Sequence, residues 1–138
     1  MISTKEMKLE TAPGFQIVDI TRKAEDELSN TGLNSGILVL FVPGATGALT
    51  TIEYESGLIQ DLKDLFQKII PEGLNYNHDR KWHDGNGHSH LRASLIGPSL
   101  SIPFSKGNLL LGTWQQIIFI DFDPPARSRK IILQFMGE

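Results

Sequence analysis

A chain of 138 residues, 40% apolar and 21% charged, has the composition of one ordinary globular domain, large enough to bury a core without disulfides or metal staples. Its formal charge is only −3 with acids and bases interspersed, so no basic stripe marks nucleic acid as a partner. It has no cysteine, hence no disulfide framework and no thiolate nucleophile or zinc ligand; without a signal-peptide core or a run long enough to span a bilayer, the expectation is a cytoplasmic protein with no membrane partner.

In chain order, the first predicted strand covers 5–11 and closes at Pro13-Gly14, and the second covers 15–20. Residues 21–30 read as a helix with Thr21 as its N-cap, and Gly32 and Gly36 flank its exit. The run 36–42, Gly-Ile-Leu-Val-Leu-Phe-Val, is too apolar for a strand facing water and is placed in the middle of a sheet. After Pro43-Gly44-Ala45-Thr46-Gly47, residues 48–55 alternate as another strand. The clearest helix follows, with Ser56 as cap, an apolar stripe of Leu58, Leu62, Leu65, Phe66 and Ile69, and Pro71 as its stop.

From about residue 88 only strands are expected, at 90–96, 99–104, 109–122 and 129–136, with turns at Gly97-Pro98, Lys106-Gly107 and Pro124-Pro125. Together these predict a single α+β domain over 1–138, a mostly antiparallel extended sheet of about eight strands with two main helices.

Three of the four histidines fall within 83-HDGNGHSH-90, and His78 lies just upstream on what reads as a loop. If 88–95 is a strand, His88, His90, Arg92 and Ser94 share one face, while Leu91, Ala93 and Leu95 pack inward. Imidazoles two apart on a strand can reach one ion, and a carboxylate such as Glu53 or Asp84 would complete an open three-ligand site. Arg92 beside it could grip a phosphate or carboxylate bidentately. The same pattern also describes a solvated polar face or a subunit contact, and Asp84-Gly85-Asn86-Gly87 is turn chemistry first. His83, after Trp82, is the histidine least suited to coordinate.

Segment 43–56 sits where α/β proteins place phosphate loops, but it carries neither a Walker pattern nor a Rossmann fingerprint, and a tight turn between strands accounts for it as well. Glu53 and Glu55 can be ligands, bases or surface residues. Thr113 and Gln115 share a face and can line a pocket, while 127-RSRK-130 reads as a solvated edge or a contact for an anionic substrate across a subunit boundary.

Three segments, 46-TGALTTIEYE-55, 84-DGNGHSHLRASLIGPSLSIPF-104 and 109-LLLGTWQQIIFIDF-122, in this order and spacing resemble the YjbQ-like family, over nearly the whole chain. The resemblance implies a compact α+β subunit assembled as a homotrimer, in a family whose members are commonly labelled secondary thiamine-phosphate synthases. Family positions look matched by Glu53, Asp61, His78, Asn86, His90, Ser94, Gly112, Thr113, Trp114 and Gln115. Many members carry a histidine shortly before the Thr-Ala-Leu-Thr segment, where this chain has Gly44; His88, not a general family feature, could replace it if the two come close in space.

Residue pattern and resemblance together give an expected site. Glu53, His78, Asn86 and His90 are its catalytic candidates, Arg92, Ser94, Thr113 and Gln115 its substrate or phosphate contacts, and His78, His88 and His90 the ligands of a divalent metal, zinc or magnesium. Three functions fit: a metal-dependent transferase acting on a phosphorylated small molecule, a non-catalytic trimer holding a metal or anion, and a zinc-assisted hydrolase. No G-x-S-x-G or H-E-x-x-H motif supports other hydrolytic chemistry.

Overall fold

The structure, a computed structural model, describes residues 1–138. Strands β1 (Ile2–Thr11), β8 (Arg127–Gly137), β3 (Gly36–Phe41), β5 (Ser99–Ser105) and β6 (Asn108–Leu109) lie in that order in a five-stranded sheet. A second sheet holds β2 (Gln16–Asp19), β7 (Gln116–Asp121) and β4 (Gly47–Ile52). Every pairing is antiparallel, and the α+β class and eight strands are as the sequence predicts.

Two dry layers explain the apolar runs. Ile117 and Phe119 of β7 face a core shared with Leu38, Leu40, Leu133 and Phe135 of the larger sheet. Ile118 and Ile120 face the other way, into a cluster with Phe66 and Ala93 from two helices. With both faces covered, β7 has no polar side to show. β3 is central in its sheet, as expected, but only one of its faces is covered: Leu38 and Leu40 are buried, while Ile37 and Phe41 are 47% and 42% exposed.

Four helices complete the fold: α1 (Thr21–Thr31), α2 (Ser56–Ile69), α3 (Asn77–Trp82) and α4 (Gly87–Ile96). Thr21 opens α1 without capping it; the Asp19 carboxylate accepts from the Thr21 N–H at 2.9 Å, and the Thr21 hydroxyl accepts from the Ile117 N–H at 2.8 Å. Ala24 and Leu28 carry α1 into the main core. In α2 the cap is Glu55 and not Ser56: its two oxygens accept from the Gly57 and Leu58 N–H groups at 2.8 Å each, which holds this carboxyl below the ordinary range. The buried edge of α2 is Ile59, Leu62 and Phe66, so the predicted stripe is rotated and Leu65 and Ile69 stay half exposed.

The main departure from expectation is α4. The sequence pattern of residues 90–96 predicts a strand, because Leu91, Ala93 and Leu95 alternate with polar residues. They continue a helix whose first two residues, Gly87 and His88, are buried, and along which Ser89, Arg92 and Ala93, buried, and Ile96, partly buried, keep the i, i+3, i+4, i+7 spacing of a helix face. Two of those four side chains are polar, so the apolar pattern hides the period, and Leu91 and Leu95 are the exposed ones. The run 109–122 is likewise interrupted: a turn at 112–115, closed by Gln115 N–H to Gly112 carbonyl at 3.1 Å, separates β6 from β7. No helix is long and apolar enough to cross a membrane.

Candidate functional site

The site begins with the way α3 is fastened to α4. The Asp79 carboxylate accepts from the Gly87 N–H at 2.9 Å, filling a free donor at the start of α4 from a different helix. Gly87 allows the approach, since a Cβ there would stand 2.7 Å from Cβ of Tyr76. This contact lays the first turn of α3 beside α4 and sets the His78 and His90 rings 4.5 Å apart, tilted by 45°.

His90 and Ser94, four apart on α4, form one wall of an open cleft of about 430 Å³. The 43–47 loop is the opposite wall, through Gly44, Ala45 and Gly47, and Pro98 lies at its edge. Gly47 is buried against β7, where a Cβ would come within 2.9 Å of the Phe119 ring. A Cβ on Gly44 would fit without clash, in ordinary contact at 3.8 Å with Arg129 Nη1 and Val42 Cγ1.

The strand-face arrangement of His88, His90, Arg92 and Ser94 is overturned, because a helix turns residues two apart to opposite sides. His88 is 2% exposed; its Nε2 lies 3.3 Å from the Ser89 hydroxyl and 4.0 Å from a Glu72 oxygen. Burial pushes its pKa down, against the pull of Glu72, so it is a neutral core histidine. It is not on the cleft wall and does not stand in for a histidine at Gly44. The expected ligand trio of His78, His88 and His90 therefore does not assemble; only His78 and His90 meet.

Arg92 is 3% exposed, donates to the Ile70 carbonyl at 2.9 Å and to Gln67 at 3.2 Å, and lies over the Phe15 and Phe66 rings. It fastens α4 to α2 and is not presented to a phosphate. Asn86 donates to a buried Asp123 oxygen at 3.3 Å, and its own Oδ1 is buried without a partner. Glu53, Thr113 and Gln115 are exposed and lie outside the cleft wall; Gln115 donates to the Thr51 hydroxyl at 3.2 Å and accepts from the Gly112 N–H. His83 ends α3 in the left-handed conformation, at φ 57°.

One buried charged cluster beside the cleft is not legible in the sequence pattern. Asp121 and Asp123 are each 1% exposed, and Arg129 reaches both, bidentate to Asp121 at 2.6 and 3.0 Å and 3.5 Å from Asp123. Burial pushes the Asp121 carboxyl up, but hydrogen bonds from Arg129, Thr11 and the Asp123 backbone outweigh it and hold the group below its usual range. Asp123 also accepts from the hydroxyl of buried Thr46 at 3.0 Å, behind the loop that forms one cleft wall, and from Asn86 at the start of α4. Two acids flanking Phe122 in an apolar run were the available signal, since buried carboxylates require partners, and Arg127 and Arg129 follow at strand spacing.

A family model described as UPF0047 protein YjbQ-like matches residues 5–138. The chain belongs to the YjbQ-like family. It is 39% identical over 129 residues to a UPF0047 protein of Archaeoglobus fulgidus, covering 94% of this chain and 98% of the relative. Among solved structures, it is similar to a YjbQ-like protein of Sulfolobus solfataricus with TM-score 0.94 and 30% identity, over 100% of this chain and 99% of that one. It is also similar to a protein of Aeropyrum pernix with TM-score 0.91 and 36% identity, over 99% of each chain. The YjbQ-like fold thus extends over both sheets and the helices that carry the His78–His90 contact.

Proposed function

We propose that the cleft between the 43–47 loop and α4 binds a phosphorylated small molecule, and that the protein is a transferase of the thiamine-phosphate synthase kind. The observation that carries this is His90: it lines the cleft beside the Ser94 hydroxyl, with a second imidazole against it. Such a reaction forms a bond between the thiazole nitrogen and the pyrimidine methylene carbon, breaks that carbon's bond to oxygen and releases pyrophosphate. The leaving group needs charge neutralisation and a proton, and positioned imidazoles supply proton transfer. A cation stands near the loop wall as well. Arg129 Nη1 has no hydrogen bond within the chain and lies 3.8 Å from where a Cβ on Gly44 would sit.

The test is product formation from the pyrimidine diphosphate and thiazole phosphate precursors with Mg²⁺, at high enzyme concentration. Product above a heat-killed control supports the reading; none removes the transferase.

The same proposal includes assembly as a homotrimer. Ile37 and Phe41 on the uncovered face of β3, with Trp114 at 72% exposure, are apolar surface of the kind a second subunit covers. Light scattering that returns the mass of one chain would remove this part.

A further inference from the structure

We propose that His78, Asp79 and Asp84 form a binding site for one divalent cation of the zinc or manganese kind, placed beside His90. One ligand atom from each of the three lies within 4.8 Å of the others. The His78 Nδ1 is 3.5 Å from an Asp79 oxygen and 3.3 Å from an Asp84 oxygen. Atoms sharing an ion at bond lengths of about 2.0–2.1 Å in a tetrahedral shell stand about 3.4 Å apart, so His78 Nδ1 already has a coordinating spacing to both carboxylates, and the two carboxylates lie within 4.8 Å of each other.

A second observation concerns the nitrogen itself. His78 Nδ1 is shut off from solvent and makes no hydrogen bond, because neither neighbouring carboxylate meets the geometry of an N–H donor's acceptor. Ordinary His–Asp pairing would align the proton with an oxygen. A buried imidazole nitrogen left without a partner calls for an explanation, and an ion between the three groups provides one. The oxygen of Asp79 that faces His78 also accepts the Gly87 N–H, the outer hydrogen bond that orients metal-binding carboxylates.

One imidazole and two carboxylates favour zinc or manganese over magnesium, which prefers oxygen and water. Three protein ligands leave a position open, and the His90 ring packs on His78 from the side of the cleft. This ligand set differs from the histidine trio that the sequence suggested. The ion's use in catalysis rests on the reading of the cleft given above; its binding does not.

The experiment uses the full-length protein without a histidine tag, stripped with EDTA and titrated with Zn²⁺ alone against a chromophoric chelator. Wild type is expected to take up one ion per chain. Asp84→Asn, at an exposed position, and His78→Gln are each expected to bind at least tenfold more weakly. His83→Asn, which keeps a residue tolerant of the left-handed conformation, is expected to bind as wild type does. No uptake by wild type, or unchanged affinity in Asp84→Asn, overturns the proposal. Titrating inorganic pyrophosphate with and without Zn²⁺ separates the two ideas: Zn²⁺ bound but pyrophosphate ignored leaves the cation site standing and removes the phosphate reading.

Discussion

His78 and His90, on different helices, face each other with ring centroids 4.5 Å apart, and only His90 reaches the cleft. Under the proposed function, that asymmetry would divide their work: His90 to exchange a proton with a bound molecule, and His78 to hold its neighbour's orientation and the proposed cation. His90→Gln is therefore expected to lower the rate of thiamine phosphate formation on the order of 100-fold, within the usual range for losing a general acid or base. His88→Gln should leave the rate within about twofold, since burial removes that ring from the reaction. Initial rates of the two variants decide it, and equal rates for His90→Gln and wild type would remove the assigned role.

Two glycines three apart in the cleft loop are predicted to respond oppositely. Gly44→Leu adds a side chain to the cleft wall at a position where a Cβ meets no clash, and should raise KM at least tenfold with little change in Tm. Gly47→Ala drives a Cβ to within 2.9 Å of the buried Phe119 ring and should destabilise the fold by about 1–3 kcal/mol. Steady-state kinetics and thermal melts on both variants separate the roles. If Gly44→Leu left KM unchanged, the cleft would not be the substrate site.

The different legibility of these features in the sequence has a physical cause. Covered strands announce themselves, because a strand dry on both faces must be apolar throughout, and Ile117 to Ile120 read that way at once. Helix α4 does not, because its buried face includes Ser89 and Arg92, whose polar groups are satisfied by the Phe122 carbonyl, the Ile70 carbonyl and Gln67. No local pattern reveals partners 22 to 33 positions away. Reading 88–95 as a strand then placed His88 and His90 together, and the correct pairing of His90 with His78 depends on the Asp79–Gly87 contact between helices.

Arg129 is expected to be the costliest single charge to remove. Arg129→Met leaves Asp121 buried with its cation gone, while Asp123 keeps Arg127 at 2.7 Å, and the expected loss is about 3–5 kcal/mol for breaking a buried pair. The double variant Arg129→Met with Asp121→Leu should lose less than the sum of the two single changes, because neither partner remains stranded. Urea unfolding of the four proteins gives the coupling. Strict additivity would mean that Arg129 and Asp121 are not coupled, against their bidentate contact.

Acid should unfold the protein in two separate windows with different owners. His88 has a folded pKa pushed below 6.5, first by burial and then by Arg92, against the raising effects of Glu72, Asp79 and Asp123. The unfolded chain therefore takes up a proton before the folded one does, so His88 contributes stability above pH 6.5 that is lost as pH falls through its lowered folded value. Asp121, also depressed, contributes above its unfolded value of 3.8 and loses that contribution only as pH falls below it. Between pH 7.5 and 5, then, the urea midpoint of wild type should fall while that of His88→Leu stays nearly flat, and Asp121 contributes little to the slope. Parallel slopes in the two proteins would mean that His88 titrates alike folded and unfolded, and that the ring is reached by water in solution.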